Sequence, residues 1–302
     1  MSLYINLFLS SLRPITFFLP CAAIILGCGL AAFDGVIDGL LFSALLFLSI
    51  FAQMIYNLVQ DYQRAFISHQ VVAKTETSKQ ARYQTRISML KLILASYATF
   101  VLALLLFVGS AVPSSLIGYS LVALIALIFL LVLRLKTKDT QPEHRLHQVF
   151  GYLSHALLFG ALPSLLSYHV LTASMNAYIV IFAFISAFLS LLLYMANKVK
   201  KIIEGIERQG EYVQISNNKT LRLLLTAQKW TVLLCTLATL LSAYFFYIPI
   251  LTGLCLLATP SLIASAITLE HFPESDVAQS QTSKISIACF AYWVLFVIGL
   301  ML

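Results

Sequence analysis

Nine stretches of about 20 mostly apolar residues punctuate this chain, and that pattern leaves few folds open to it. They run roughly 15–33, 37–58, 88–110, 114–133, 149–168, 174–196, 227–246, 248–267 and 285–302. A helix that crosses a bilayer needs about 20 such residues. The composition agrees. Hydrophobic residues make up 60% of the 302 and charged ones only 10%, with a mean hydropathy of +0.92. A soluble domain carries about a quarter charged residues. The expectation is an all-α polytopic membrane protein of about nine transmembrane helices, forming one integral membrane domain over 1–302. The seventh and eighth spans are separated only by Tyr247-Ile248-Pro249. Proline ends a helix there and lets the chain turn.

The basic residues give an orientation. In a nine-helix arrangement all 19 Lys and Arg fall on one side. Arg13 precedes the first span, and Arg64 to Lys91 follow the second. Arg134 to Arg145 follow the fourth, Lys198 to Lys229 follow the sixth, and Lys284 precedes the ninth. The opposite side carries Asp34 and Asp38. The positive-inside rule then places the N-terminus and the basic loops in the cytoplasm of a bacterial-type inner membrane. The first 18 residues lack a charged n-region and a small-residue cleavage site, so the first helix is expected to be retained. The net charge of +7 follows from this asymmetry and from attraction to anionic lipid heads; it calls for no nucleic-acid partner. Cys21, Cys28, Cys235, Cys255 and Cys289 stand singly in apolar segments and read as small buried hydrophobes.

Two stretches break the apolar pattern. The first, FAQMIYNLVQDYQR from Phe51 to Arg64, carries Asn57 and Asp61 four residues apart, on one helical face. The second, from Leu191 to Glu211, carries Asn197 and Glu204 about two turns apart, with Lys200 and Lys201 on or near the same face. Ionisable groups at the mouth of a membrane helix are costly to place and read as functional. Each stretch ends an inward-running helix and leads into a basic loop. Two such mouths can hold a diphosphate between them, its charge met by Mg²⁺ on carboxylates or by Lys and Arg directly. The apolar bundle beside it accepts a long hydrocarbon tail, a combination that suits a polyprenyl diphosphate.

Other features weigh less. Residues 63–87 read as a solvated basic loop or as a lid over an anion. The third and fourth spans read as scaffold, hinged at Gly109 to Pro113. His144 and His147 lack a third ligand at a recognisable spacing. His155, in the fifth span, either lines a cavity or bonds a neighbouring carbonyl. Pro20 predicts a kink within the first helix, and Gly27 and Gly29 predict close packing there.

SLRPITFFLPCAAIILGCGLAAFDG, followed by FAQMIYNLVQDY, resembles the UbiA superfamily of intramembrane prenyltransferases, most closely its 1,4-dihydroxy-2-naphthoate polyprenyltransferase (MenA-like) branch. That family has an S-x-R-P start, a small-residue first helix and an N-L-x-N-D-Y-x-D motif closing the second. GYLSHALLFGALPSL resembles its helix-5 segment, YMANKVKKIIEG stands where it has N-N-x-R-D-x-x-x-D, and LLATPSLIASA resembles its C-terminal part. The likeness spans the chain and is densest in the first 62 residues. It implies transfer of a polyprenyl group from its diphosphate to an aromatic acceptor such as 1,4-dihydroxy-2-naphthoate, in menaquinone biosynthesis. It also implies Mg²⁺ bridging the diphosphate, ionisation to an allylic cation, and attack by the electron-rich ring. Asn57 and Asp61 match the first motif as catalytic residues, with Asp61 a metal ligand. Asn197 matches the second motif, and Glu204 stands at its last Asp as the other metal ligand.

The departures are specific. The family's second Asp of the first motif is Arg64 here, and the first Asp of the second motif falls at Lys200. Two unit charges 4 Å apart interact by about 4 kcal/mol at an effective dielectric near 20. Arg64 and Lys200 therefore repel a metal at those places, and with Asn197 and Lys201 they are expected to bind the diphosphate directly. Three readings follow: a prenyltransferase with altered motifs, a non-catalytic relative that binds prenyl lipid or quinone, and a membrane transporter or structural protein. The lack of charges well inside the helices speaks against transport of ions.

Overall fold

The computed structural model describes residues 14–67, 91–93, 95–97, 99–100, 103, 107, 117–120, 122–127, 145–208 and 218–302. Every element among them is helical. A 3-10 turn, Pro14–Phe17, leads into α1 (Phe18–Phe33), and α2 spans Gly39–Ile67. The fifth expected span is built from α3 (Arg145–Ala156), a π turn (Leu157–Ala161) and α4 (Leu162–Thr172). Then come α5 (Ala177–Arg208), α6 (Lys219–Phe245), a 3-10 segment (Ile250–Ala258), α7 (Thr259–His271) and α8 (Ser275–Met301).

Seven helices among the described residues are long and apolar enough to cross a membrane, and they match the first, second and fifth to ninth expected spans. The spans at 88–110 and 114–133 lie largely outside the described residues. So do the basic loop 63–87 beyond Ile67, the hinge at 109–113, and the side chains of His144 and His147. The chain is an integral membrane protein. Trp230 in the middle of α6 and Tyr244 and Tyr247 at its C-terminal end are all well exposed.

The helices outrun their apolar runs. At 29 and 32 residues, α2 and α5 are about 43 and 48 Å long, against a hydrocarbon core of about 30 Å. The polar stretches at 57–64 and 197–208 are therefore continuous helix projecting beyond the bilayer core, as expected of the polar ends of these two helices. α6 likewise begins at Lys219, because Asn218 Oδ1 accepts from Leu221 N at 3.1 Å and caps it. α8 begins at Ser275, ten residues before the apolar run, where Glu207 Oε1 accepts from Ser275 N at 2.8 Å.

Lipid offers no hydrophobic drive to bring helices together, so close packing has to do it. Small residues sit where backbones approach. A methyl added at Gly27 would overlap Ser167 and the Ser164 carbonyl of α4; one at Gly160 would overlap the backbone of Ala187 in α5. Gly29 meets Val297 of α8, so the close packing expected of Gly27 and Gly29 is present. The kink expected at Pro20 does not fall inside a helix. Pro20 lies in the first turn of α1, where its missing N–H has no intrahelical partner to lose.

Two irregular segments have local causes. The π turn at Leu157–Ala161 comes just before Pro163, whose ring would clash with the carbonyl four residues back; the wider turn accommodates it. The nine-residue 3-10 segment buries Thr252, Cys255 and Ala258 against α8, a spacing of three that matches three residues per turn. Its steeper rise stretches the 22 residues of Ile250–His271 to about 37 Å, against about 33 Å as pure α-helix. That lets a short segment cross. At the core, Phe182 of α5 stacks at an angle on Phe296 of α8, 4.9 Å between centroids, beside the buried Trp293 and Tyr292. Tyr292 Oη donates to Thr239 Oγ1 at 2.8 Å, so the phenol's polar tip is satisfied within this apolar cluster.

The alternating helices sort polar groups to two ends. At one end, Tyr168 and Tyr178 hydroxyls donate to Asp34 Oδ2, and Asn176 Nδ2 donates to Tyr168 Oη at 2.7 Å. This cluster ties the α1–α2 turn to the α4–α5 turn. The opposite end carries both polar stretches.

Candidate active site

On α2, Asn57 is buried, with 2% of its surface exposed. Gln53 Nε2 donates to Asn57 Oδ1 at 3.1 Å, and Asn57 Nδ2 donates to Thr16 Oγ1 at 2.8 Å. Thr16 belongs to the 3-10 turn after Arg13-Pro14. The asparagine thus docks the N-terminal turn against α2, which joins the two segments where the sequence resemblance is densest. Asp61 and Arg64 follow one and two turns further along α2; their side chains lie outside the described residues.

On α5, Asn197 is exposed, and its Nδ2 donates back to the Leu193 carbonyl at 3.0 Å. Lys200 Nζ lies 3.5 Å from Glu204 Oε1 and also donates to Gln279 Oε1 of α8. Lys201 is exposed beside them. Lys200, Glu204 and Glu207 of α5, with Ser275, Asp276 and Gln279 of α8, line an open cleft of about 480 Å³. Asn197, Lys200, Lys201 and Glu204 thus form one polar surface on α5, but Lys200 and Glu204 turn towards the start of α8.

An aromatic bridge connects the two helices. Tyr56, next to Asn57, meets Phe159 of the π turn edge-on at 5.2 Å. Phe159 packs on His155 at 4.8 Å, and His155 packs on Tyr194 of α5 at 5.3 Å. Tyr194 meets Tyr152 at 4.6 Å, and Lys198 Nζ lies 5.2 Å above the Tyr152 ring, within cation–π range. Gly151 leaves room for the Tyr194 hydroxyl, since a methyl there would overlap it. Tyr152, Tyr194 and Lys198 were not singled out in the sequence. The signal was there, because Tyr194 and Lys198 sit one turn apart on the face carrying Asn197 and Lys201.

Among the described residues the carboxylates do not fit a pair of magnesium ions. Mg²⁺ demands near-octahedral oxygen donors, of which the protein supplies carboxylates. Glu204 already faces the Lys200 ammonium, and among the described residues no three His, Cys, Asp or Glu side chains converge. Two of the expected ligand positions are the cations Arg64 and Lys200.

No family model and no curated protein matches the chain. A solved structure described as giving structural and mechanistic insights into digeranylgeranylglyceryl phosphate synthase in membranes does match it. The TM-score is 0.59 and the identity 14%, over 100% of this chain and 99% of that one. The chain therefore shares the all-helical membrane fold of that protein.

Proposed function

We propose that this protein transfers a polyprenyl group from its diphosphate to an aromatic acceptor within the membrane. The observation that carries the reading is the whole-chain match to a prenyl-transferring fold, with Asn57 and Asp61 on α2 and Asn197 on α5 at the two motif positions. The acceptor we favour is 1,4-dihydroxy-2-naphthoate, from the MenA-like character of the N-terminal sequence, which makes the step part of menaquinone biosynthesis. The basic end of the bundle faces the cytoplasm of a bacterial-type inner membrane.

In this reading Arg64, Lys201 and Asn197 bind the diphosphate oxygens, and the bundle takes the prenyl tail. Lys200 shares its charge between Glu204 and the substrate. The C–O bond to diphosphate breaks with its electron pair leaving on oxygen, and cations at the mouth offset the charge that develops there. The ring carbon then forms the new C–C bond. Any magnesium is a single ion on Asp61, with Glu204 as its partner once Lys200 moves to phosphate. Purified protein given a polyprenyl diphosphate and 1,4-dihydroxy-2-naphthoate should form a prenylated product that Asp61→Ala abolishes. No product across several chain lengths and acceptors would sink the reading.

One observation favours a second reading. The Lys200–Glu204 pair neutralises a carboxylate that the family's chemistry uses, as expected of a non-catalytic relative that holds prenyl lipid or quinone. Tight diphosphate binding without product would select it.

A further inference from the structure

We infer that His155 is the base that takes the hydroxyl proton of the aromatic acceptor, and that the rings around it form the acceptor's seat. The inference rests on the transferase reading above. Two facts place His155 there. It sits midway along the aromatic bridge between the two polar stretches: Phe159 leads from it to Tyr56, beside Asn57, and Tyr194 leads to the turn carrying Asn197 and Lys198. It also lies deeper than the second of those stretches, because it packs on Tyr194, three residues before Asn197 on a helix running towards the polar end. Three residues correspond to about 4.5 Å of depth. A diphosphate held at the mouth puts the allylic carbon further in, on the side where the imidazole lies.

The setting suits a planar ring. His155 is buried, 8% exposed, with its ring tilted against Phe159 and Tyr194, and aromatic pairs favour such offset and tilted packing. The π turn that begins two residues later is the kind of irregularity found at functional positions in helices. The other described histidine in the same span, His169, lies near the far end, its Nδ1 3.1 Å from the Ser174 carbonyl. The titratable or charged groups around His155 are Tyr152 on its own helix, Tyr194 and Lys198 on α5, and Tyr56 on α2, with Asp61 further along α2. The sequence of α1 carries no charge.

The step balances as follows. An imidazole nitrogen accepts the proton of the ring hydroxyl, and the oxygen's electrons raise the nucleophilicity of the ring. The ring carbon bonds to the allylic carbon as diphosphate departs with the C–O pair. That ring carbon then loses its own proton to diphosphate or water, or loses carbon dioxide where it bears a carboxylate. The imidazolium returns its proton to the oxygen.

The test compares wild type with His155→Gln, which keeps hydrogen bonding but cannot take a proton at neutral pH. Positioned bases contribute about 10²–10⁴-fold. His155→Gln should lower kcat by that order while the KM for polyprenyl diphosphate changes less than about threefold. In wild type, kcat should rise about tenfold per pH unit on the acid side of an inflection between about pH 5 and 8, then level off; the variant should lose that inflection. An acceptor with a more acidic hydroxyl should recover much of the lost rate. Wild-type activity with an unchanged His155→Gln overturns this inference alone. An inactive wild type overturns the transferase reading and this inference with it. Where His155→Gln fails to fold, a flat wild-type profile over that range overturns the inference, and the expected inflection with rate rescue by the acidic acceptor supports it.

Discussion

The Asn57 side chain donates to the Thr16 hydroxyl at 2.8 Å, across 41 residues of sequence. This contact fixes the N-terminal turn to the helix that carries Asp61 and Arg64. An unsatisfied hydrogen-bonding atom in a membrane bundle is expensive, so losing one partner costs the other a hydrogen bond. Asn57→Ala and Thr16→Val should each destabilise the protein by about 1–3 kcal/mol. The double variant should be less damaged than the sum. Unfolding in detergent, followed as a double-mutant cycle, measures the coupling; strict additivity would mean that the two side chains do not depend on each other.

Lys200 and Glu204 are one turn apart, with side chains 23% and 34% exposed. A pair so wet adds little stability, and Glu204→Gln should shift the unfolding temperature by no more than a degree or two. Its effect should appear in metal dependence. Because cations replace two expected carboxylates, diphosphate binding by wild type should survive EDTA within about threefold. Lys200→Asp removes the cation from Glu204 and adds a ligand, so its binding should become magnesium-dependent. Isothermal titration of a short prenyl diphosphate, with and without Mg²⁺, decides this. Complete loss of wild-type binding in EDTA would contradict it.

How much of this was legible beforehand depends on what each residue announces. Apolar length is a strong signal, so the spans starting near Ile15 and Gly39 and that ending near Thr172 emerge close to where they were expected. Polar helix is a weak one. The ten residues before Ile285, and Lys219 to Gln228, have no long apolar run, and only their caps at Glu207 and Asn218 reveal why they coil. Asn57 was readable as a candidate because an amide in a membrane helix demands a reason. Its partner Thr16 was not, since nothing local points from one to the other. The aromatic bridge was hidden for a similar reason. His155 stands out as a histidine within a span, but Tyr56 and Tyr194 are ordinary in an aromatic-rich chain until packing brings them to it.

Alternation predicts which residues reach which side. Ile37 is 80% exposed at the Asp34 end, and Lys201 is exposed at the other. In a background with the five native cysteines replaced, Ile37→Cys should react with an impermeant maleimide in intact cells. Lys201→Cys should react only after the membrane is opened. The reverse pattern would invert the proposed orientation and put the diphosphate mouth outside.

Gly160 gives the sharpest packing test. It sits in the π turn where α5 passes so closely that a methyl would overlap the Ala187 backbone, whereas nothing lies within 4 Å of a methyl at Gly205 on α5. Backbone cannot yield as a flexible side chain does, so Gly160→Ala must push the helices apart. We expect a loss of about 1–3 kcal/mol, the usual penalty of overpacking. Gly205→Ala should be neutral or stabilising by up to about 1 kcal/mol, because alanine is the better helix former. The two changes are chemically identical, so only packing separates them. Because Phe159 adjoins Gly160 and contacts Tyr56, Gly160→Ala should also disturb the aromatic bridge and slow turnover beyond its effect on folding. Equal stability of the two variants in thermal unfolding would show that α5 does not approach the π turn this closely.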